Sequence, residues 1–371
     1  MAVHYLIKSL FSDVPKRVLK VIVGKPTTER NVCILLAMFL VASALAGCGK
    51  RGPDSAGGTS ASKKIAWYAL IVHPYFDEVR KGVVAFERDT GVKVAKQIGQ
   101  EAAQDNENAN VEALAAQGYR GFSIYPADAS AANGLYEELV ANGALVVNFG
   151  APTATPTPAS FCVATDVKKA AGKATEALIR FMGGRGDILN VLELVEDPNT
   201  MLRRKGIEQV VARHEGVKIV QTIAGMTSFE ESMAKVQDAL SARIHEIDGI
   251  ICTGYTPTVA AATILSEWHQ KPGNRRIHFI GIDTDDVVLK AIKAGHIDGT
   301  IAQNPYGHGY ISCKLLSYLL DGWTRKKGAY FIDTGAILVT RDNLNAYRDE
   351  VMTATERILA ELETRYLDPP K

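Results

Sequence analysis

The feature that most constrains this fold is an alternation that begins at Lys64, in which a short apolar run is followed by a polar loop and an amphipathic stretch. In one stretch Val79, Val83, Val84 and Phe86 recur at roughly three- to four-residue spacing, which is typical of one helical face. Strands that alternate with helices form a parallel sheet covered on both faces, so an α/β fold is predicted. The predicted strands lie at 65–72, 121–125, 144–149, 161–164, 187–194, 218–223, 249–252, 278–282 and 299–302. The predicted helices lie at 76–89, 109–117, 130–142, 167–181, 201–214, 232–243, 258–268, 287–294 and 309–320.

These units are too many for one sheet, and a length of 371 residues also suggests two domains. The Thr-Ala-Thr-Pro-Thr-Pro segment at 153–158 interrupts the alternation, and its prolines cannot donate ladder hydrogen bonds. We interpret it as a connector between two doubly wound lobes. Such sheets bind ligands at the carboxyl ends of their strands, so two facing lobes would enclose a small molecule in a cleft.

Five glycines lie just past predicted helix ends, where a left-handed backbone is favoured. They are Gly91, Gly118, Gly143, Gly216 and Gly295.

The first 47 residues differ from the rest and are predicted to be a signal peptide. Six basic and two acidic side chains are followed by an uncharged apolar run at 32–47, too short for a stable membrane span. Leu-Ala-Gly before Cys48 resembles the bacterial lipobox, which implies cleavage before Cys48 and attachment of a lipid to its sulfur. Residues 48–63, rich in small and polar side chains, read as a flexible tether. The alternatives are an uncleaved anchor or a short buried helix with an incidental cysteine.

Patterns typical of enzymes are missing from the sequence: a phosphate-binding Gly-x-x-x-x-Gly-Lys loop, a His-Glu-x-x-His helix, a Cys-x-x-Cys pair and a Gly-x-Ser-x-Gly elbow. The acidic run at 283–286 lacks the offsets of a calcium loop. A formal net charge of +1 argues against nucleic-acid binding through a broad basic surface. We therefore expect a binding protein with no cofactor, no metal and no required pairing among Cys162, Cys252 and Cys313.

Seven stretches in order along the chain form a recognisable set of motifs. They are His-Pro-Tyr-Phe at 73–76 followed by Gly82, the strand ending Pro-Ala-Asp at 126–128, Thr-Asp-Val at 165–167 with Gly172, Asn199 through Arg203 with Gly206, Gly-Ile-Asp at 281–283, Gln-Asn-Pro-Tyr-Gly at 303–307, and Val-Thr-Arg-Asp-Asn at 339–343. Together they resemble the ribose/galactose class of sugar-binding proteins of bacterial ABC importers, whose fold is shared with the effector domains of LacI-type repressors. The resemblance spans roughly residues 64–343.

The resemblance implies a sugar site in which aromatic rings cover the apolar faces of the sugar, while carboxylate, amide and guanidinium groups hold its hydroxyls. The implied ligand-binding residues are His73, Tyr75, Phe76, Asp128, Asn148, Asn199, Arg203, Phe229, Tyr255, Asp283 and Gln303.

Each of these residues also has a plain structural interpretation. Tyr75 or Phe76 could be core residues at the head of a helix. Asp128, Asn199 and Asp283 could be helix caps, and Arg203 could be a surface cation.

Two departures from the family pattern concern the ligand. Gly150 stands where the family usually has an aspartate, and Gly254-Tyr255 replaces an Asn-Asp pair. Asn148 or Tyr255 could compensate, and a less hydroxylated, modified or larger ligand than a simple sugar fits these changes.

The resulting expectation is a monomeric, lipid-anchored receptor on the outer side of a membrane, which delivers its ligand to an ABC permease. The lobes are predicted as 64–150 plus 304–332 and 151–303 plus 333–371, with hinge strands near 150–160, 303–304 and 332–335. The alternatives are a sensing module for a membrane chemoreceptor or kinase, and a LacI-type regulator, which would need a helix-turn-helix ahead of residue 64.

Overall fold

The computed structural model describes residues 63–195, 197–226 and 228–371, and these form two parallel-dominated sheets covered by helices. The leader, Cys48 and most of the tether lie outside the described residues. The strands are β1 (Ile65–Ala69), β2 (Val94–Ile98), β3 (Gly121–Ile124), β4 (Leu145–Phe149), β5 (Phe161–Ala164), β6 (Gly186–Val191), β7 (Val217–Ile223), β8 (Ile247–Cys252), β9 (His278–Ile282), β10 (Gly299–Ala302), β11 (Thr324–Arg325), β12 (Phe331–Asp333), β13 (Ile337–Thr340) and β14 (Leu367–Asp368). The helices are α1 (Pro74–Thr90), α2 (Gln104–Ala116), α3 (Ala132–Ala141), α4 (Val167–Phe181), α5 (Pro198–Val211), α6 (Phe229–Arg243), α7 (Tyr255–Gln270), α8 (Asp286–Ala294), α9 (Pro305–Leu320) and α10 (Tyr347–Glu361), the last followed by a π-helical turn at Leu362–Tyr366.

Both six-stranded sheets are doubly wound, which confirms the predicted fold class. The first has the order β12-β5-β4-β3-β1-β2 and is parallel throughout. The second has the order β13-β10-β9-β8-β6-β7, with only β13 antiparallel to its neighbour. In each sheet the order reverses beside the first strand of the lobe, β1 or β6. Loops at such a switch point diverge and leave a crevice for a ligand.

Alternate residues of each strand enter opposite cores, as expected for sheets buried on both faces. In the first sheet Trp67 and Phe149 pack beneath α1 and α9, whereas Tyr68 and Phe122 pack against α2 and α3. Helices α1 and α9 approach closely at Gly82 and Gly309, where a Cβ atom would collide with the backbone of the partner helix. This approach fixes α1, whose first turn lies at the cleft.

Four of the five helix-ending glycines have the predicted positive φ, namely Gly91, Gly118, Gly143 and Gly295. The prediction for Gly216 is wrong: it is not among the residues of positive φ, and α5 ends well before it, with Ala212 as its C-cap.

Strand β2, the short strands β11, β12, β13 and β14, and helix α10 were not among the predicted elements. Edge strand β2 carries Lys96 and Gln97 and has one fully buried residue, Val94, so it lacks an apolar run. Strands β12 and β13 are short and have no distinctive local pattern. They form by pairing with β5 and β10, which are distant in sequence.

The lobe boundaries need two corrections. Strand β5 pairs with β4 in the first sheet, so the first crossing between lobes lies at residues 165–166 rather than near 150–160. The chain crosses between the sheets again at 303–304 and at 334–335. Helix α10 crosses a fourth time: Tyr347 packs with Ala302 and Val339 of the second lobe, whereas Ile358 belongs to the core of the first lobe. The chain after Ile358 therefore does not belong to the second lobe.

Within the described residues, no helix is long and apolar enough to cross a membrane.

Candidate functional site

A cavity of about 590 Å³ lies between the lobes at the carboxyl ends of their strands. Four of the predicted ligand residues line it, and each follows directly from a strand end. Tyr75 stands in the first turn of α1 after β1, Tyr255 begins α7 after β8, Asp283 follows β9, and Gln303 follows β10. Because parallel strands share one carboxyl edge, side chains far apart in sequence meet here.

Asp283 has the most constrained backbone in the cavity. Its φ is +65°, the only positive value at a non-glycine residue in the described part of the chain. The turn is held because the Thr300 hydroxyl donates to the Asp283 carbonyl at 2.8 Å. Strained backbone of this kind is concentrated at functional sites.

The Asp283 carboxylate accepts a hydrogen bond from Gln303 Nε2 at 2.8 Å. Burial raises its pKa, while this bond and the positive charge of Arg203 oppose the rise. The interpretation of Asp283 as a helix cap is wrong, because Asp285 caps α8 by accepting from the Val287 amide at 2.7 Å.

Tyr255 closes one end of the cavity against the opposite lobe. Its hydroxyl donates to Asp285 Oδ2 at 2.8 Å, and its ring meets the edge of the His73 ring at a centroid distance of 5.0 Å. His73 itself caps α1, since its Nδ1 accepts from the Tyr75 amide at 3.1 Å.

Tyr75 is held from behind by a buried histidine. The Tyr75 hydroxyl and His308 Nδ1 are hydrogen-bonded at 2.7 Å, and His308 Nε2 bonds the Thr334 hydroxyl at 2.8 Å. The Thr334 hydroxyl in turn lies 3.4 Å from that of Thr165. Burial lowers the pKa of His308 to about 3, so the ring is neutral at physiological pH. This Tyr75–His308–Thr334–Thr165 chain connects the cavity with the first and third crossings.

A second group of residues joins the two lobes directly and does not line the cavity. Asn199 Nδ2 donates to the Gly150 carbonyl at 3.0 Å, and the Tyr125 hydroxyl donates to Asp197 Oδ1 at 3.3 Å. Arg203, which is 8% exposed, lies 3.7 Å from Asp197 Oδ2. Within the described residues, Arg203 Nε and Asn199 Oδ1 are buried without a protein partner. Buried polar atoms normally have a partner, so these two atoms are exceptions to that rule near the contact between the lobes.

The structure explains the two departures from the family pattern. Gly150 has a φ of +74°, and a Cβ atom there would lie 2.6 Å from the Tyr75 hydroxyl and 2.8 Å from the Tyr125 ring. The rings therefore occupy the space that an aspartate would need. A Cβ at Gly254 would lie 2.5 Å from the Cβ of Glu193, so the glycine makes room for that carboxylate.

Four predicted residues are placed away from the cavity wall. Phe76 is buried behind Tyr75, at a centroid distance of 5.1 Å from the Tyr125 ring. The exposed Asp128 carboxylate accepts from the amides of Ser130 and Ala131, and these bonds lower its pKa. Asn148 is fully buried and donates to the Thr153 hydroxyl at 3.2 Å. Phe229 begins α6 and is 40% exposed.

Four residues that belong to this region were missed from sequence. Tyr125, Glu193 and Asp197 each stand within a few residues of a predicted strand end, and that position was the available signal. Glu193 accepts from the Thr256 amide at 3.2 Å, and burial raises its pKa. His308 lies inside α9, and nothing in its local pattern indicates its contact with Tyr75.

Among the described residues, no group of three or more His, Cys, Asp or Glu side chains is arranged to hold a metal ion. Cys162, Cys252 and Cys313 are buried, unpaired thiols, and burial raises the pKa of Cys252 and of Cys313 to about 12.

Two doubly wound lobes, linked by several crossings and facing a polar and aromatic cavity, define a two-lobed ligand-binding protein. Comparison with known proteins gives the family: residues 69–324 match the model of the periplasmic binding protein domain, and the chain belongs to that family. Membership implies a location outside the cytoplasm.

Individual relatives are distant. A xylitol-binding protein of Mycolicibacterium smegmatis is 22% identical over 310 residues, which cover 83% of this chain and 86% of the relative. A solute-binding protein of Burkholderia graminis, solved in complex with D-arabinose, matches with a TM-score of 0.69 and 22% identity over 77% of this chain and 98% of its own. One from Bacillus halodurans with bound myo-inositol has a TM-score of 0.70 and 18% identity, over 79% of this chain and 99% of its own. The structural matches establish the same fold.

Proposed function

We propose that this protein captures a sugar or polyol between its two lobes by hinge closure and delivers it to an ABC importer. One observation carries the proposal: Tyr75, Tyr255, Asp283 and Gln303, drawn from both lobes and a crossing, surround one cavity. Aromatic rings suit the apolar face of a sugar, while the carboxylate and amide suit its hydroxyls. The relative that binds xylitol and the similar structures with arabinose and inositol support the same ligand class.

Closure requires that the lobes rotate about their connections. The crossings at 165–166, 303–304 and 334–335 provide the hinge, and α10 provides a fourth link. The direct contacts between Asn199 and Gly150 and between Tyr125 and Asp197 would break when the cleft opens.

The test is ligand binding by the purified full-length chain. Pentoses, hexoses, polyols and disaccharides are screened by thermal denaturation and then by calorimetry. A ligand that binds only the folded state, at a hundred times its Kd, stabilises by about 2.7 kcal/mol, which raises Tm by several degrees. Absence of a shift with every saccharide and every polyol would refute the proposal.

Asp283→Asn provides the matched site variant. The amide keeps the size of the side chain but removes the charged acceptor, and a hydrogen bond to a charged group is worth roughly 1.5–3 kcal/mol. We expect the affinity for the identified saccharide to fall by one to two orders of magnitude, with Tm of the unliganded protein little changed.

We also propose that the mature protein is anchored through lipid on Cys48, on the outer side of the membrane. The support is the basic leader, the apolar run at 32–47 and Leu-Ala-Gly before Cys48. In cells given labelled palmitate, the protein is expected to carry the label in the membrane fraction. A Cys48→Ser variant that still incorporates palmitate would refute this anchor.

A further inference from the structure

The interlobe cavity has two parts of different origin. Its inner part is bounded by Tyr75, Tyr255, Asp283 and Gln303. Its outer part is formed by the start of α9 and by α10, through Pro305, Tyr306, Tyr347, Arg348, Val351 and Met352. Helix α10, which passes between the lobes, therefore supplies most of the outer wall.

The cavity does not extend to the residues that bridge the lobes. Where Asn199 contacts Gly150 and Tyr125 contacts Asp197, the cleft is bridged by direct hydrogen bonds, and those residues do not line the cavity. The free volume of about 590 Å³ extends instead toward α10. This volume lies within the range of roughly 300–1,000 Å³ that accommodates drug-sized ligands, which are larger than a single pyranose ring.

The outer part combines an apolar wall with a charged rim. Val351 and Met352 offer aliphatic and thioether surface, and Met352 is 36% exposed. The Arg348 guanidinium is held beside this surface, because its Nε donates to the Tyr347 hydroxyl at 3.0 Å. Across the cavity, Glu78 and Lys81 form an exposed ion pair. An apolar surface flanked by donors and acceptors is the same combination that recognises a sugar ring.

We propose that the ligand is a saccharide of at least two rings, with one ring at Tyr75, Tyr255, Asp283 and Gln303 and the second against α10. This inference rests on the proposed function and specifies its substrate class. The replacement of the family's aspartate by Gly150 agrees with it, since the rings of Tyr75 and Tyr125 occupy space on the first-lobe side. With the space beside Gly150 filled, a ligand bound at Tyr75 extends toward α10.

The experiment compares matched pairs by calorimetry on the full-length chain: D-xylose with xylobiose, D-galactose with melibiose, and D-glucose with cellobiose, each with the 4-nitrophenyl glycoside of the same sugar. We expect one disaccharide to bind at least about tenfold more tightly than its monosaccharide, equivalent to about 1.4 kcal/mol. Equal affinities, or an aryl glycoside that binds in preference to every disaccharide, would overturn the proposal.

A blocking variant locates the second ring. Met352→Trp fills the outer part, so disaccharide affinity is expected to fall by about tenfold or more while monosaccharide affinity stays within about twofold. Glu356→Trp, on an exposed position of α10 outside the cavity, is the control and should change neither affinity. Loss of monosaccharide and disaccharide binding to the same degree in Met352→Trp would contradict the proposal.

The two proposals fail differently. If no saccharide of any size and no polyol binds, the proposed function itself is wrong. If only polyols bind, the proposed function stands and the two-ring ligand is wrong. If monosaccharides bind and disaccharides are excluded, the proposed function stands and only the two-ring ligand is wrong.

Discussion

The two lobes contribute different chemistry to the same cleft. The first lobe presents aromatic rings, Tyr75 and Tyr125, backed by Phe76 and by the neutral His308. The second lobe presents mainly charged groups: Glu193, Asp197, Arg203 and Asp283. Tyr255 adds one aromatic ring on the second-lobe side of the cavity. For the sugar ligand proposed above, the rings suit the apolar faces and the charged groups suit the hydroxyls.

The difference also extends to backbone requirements. In the first lobe Gly150 must lack a side chain because aromatic rings fill the space. In the second lobe Gly254 must lack one because a carboxylate fills it. Glycine therefore makes room for aromatic rings in the first lobe and for a carboxylate in the second lobe.

The largest expected effect comes from restoring the family's aspartate. Gly150→Asp places a side chain against Tyr75 and Tyr125 at a φ of +74°. We expect a loss of roughly 2–4 kcal/mol in the free energy of unfolding, from overpacking together with backbone strain, and loss of ligand binding. Denaturant titration and calorimetry measure both.

Gly143→Asp is the control for that change. Gly143 has a φ of +76°, and no atom lies within 4 Å of the point that a Cβ would occupy, so only the backbone strain is shared. If Gly150→Asp behaved like Gly143→Asp and still bound ligand, the aromatic wall would not be filled as described.

The next effect concerns the first lobe's buried acid, Glu107, which is fully buried behind the loop after β3. Its carboxylate accepts from the Ala127 amide at 2.6 Å, and burial raises its pKa to about 7. Because the unfolded chain loses this proton near pH 4.5, the stability that Glu107 contributes is complete below pH 4.5 and is lost as pH rises to about 7.

The free energy of unfolding of Glu107→Gln should therefore rise relative to that of the wild type as pH increases through that window. The expected slope is roughly 1.4 kcal/mol per pH unit. Glu112→Gln, an exposed position on the same helix α2, should show no such trend. Parallel stability curves for Glu107→Gln and the wild type from pH 4 to 8 would contradict this.

A smaller effect is expected from removing the hydrogen bond between Tyr75 and His308. In a double-mutant cycle of Tyr75→Phe and His308→Leu, we expect an interaction energy of roughly 0.5–1.5 kcal/mol in ligand affinity, because both changes remove the same hydrogen bond. The coupling should be equal at pH 5 and pH 8, since the pKa of His308 near 3 keeps the ring neutral.

Stability provides a second readout of that pair. The unfolded histidine protonates below about pH 6.5 while the native ring stays neutral, so the wild type should lose stability relative to His308→Leu as pH falls from 6.5 toward 3. Strictly additive effects on affinity would show that His308 does not act through Tyr75.

The smallest effect is expected at Asp128, whose carboxylate serves the local backbone at the turn before α3. Asp128→Asn keeps an acceptor there, and we expect ligand affinity within about twofold of the wild type. A large loss of affinity would show that Asp128 contacts the ligand, and it would weaken the contrast between the lobes.

Features that depend on local sequence could be predicted, whereas features that depend on contacts between distant segments could not. The resemblance to the sugar-binding family implied Tyr75, Tyr255, Asp283 and Gln303 as ligand residues. The structure places each of them after a strand end at the shared edge of the sheets. Asn148 and Phe229 also stand near strand ends, but the direction of the side chain and the packing of the loop decide exposure to the cavity. His308 could not be predicted, because its contact with Tyr75 depends on how α9 packs beneath the first sheet.

The sequence by itself determined the α/β class, the doubly wound lobes, the strand-end location of the site and the absence of room-filling side chains at Gly150 and Gly254, because hydrophobic periodicity and residue type are local properties. Only the tertiary structure decided that β5 belongs to the first sheet, that α10 returns across the cleft, and that rings face charges between the lobes. Those features depend on pairing and packing between segments far apart in the chain, where each segment is compatible with either lobe until its partner is in place.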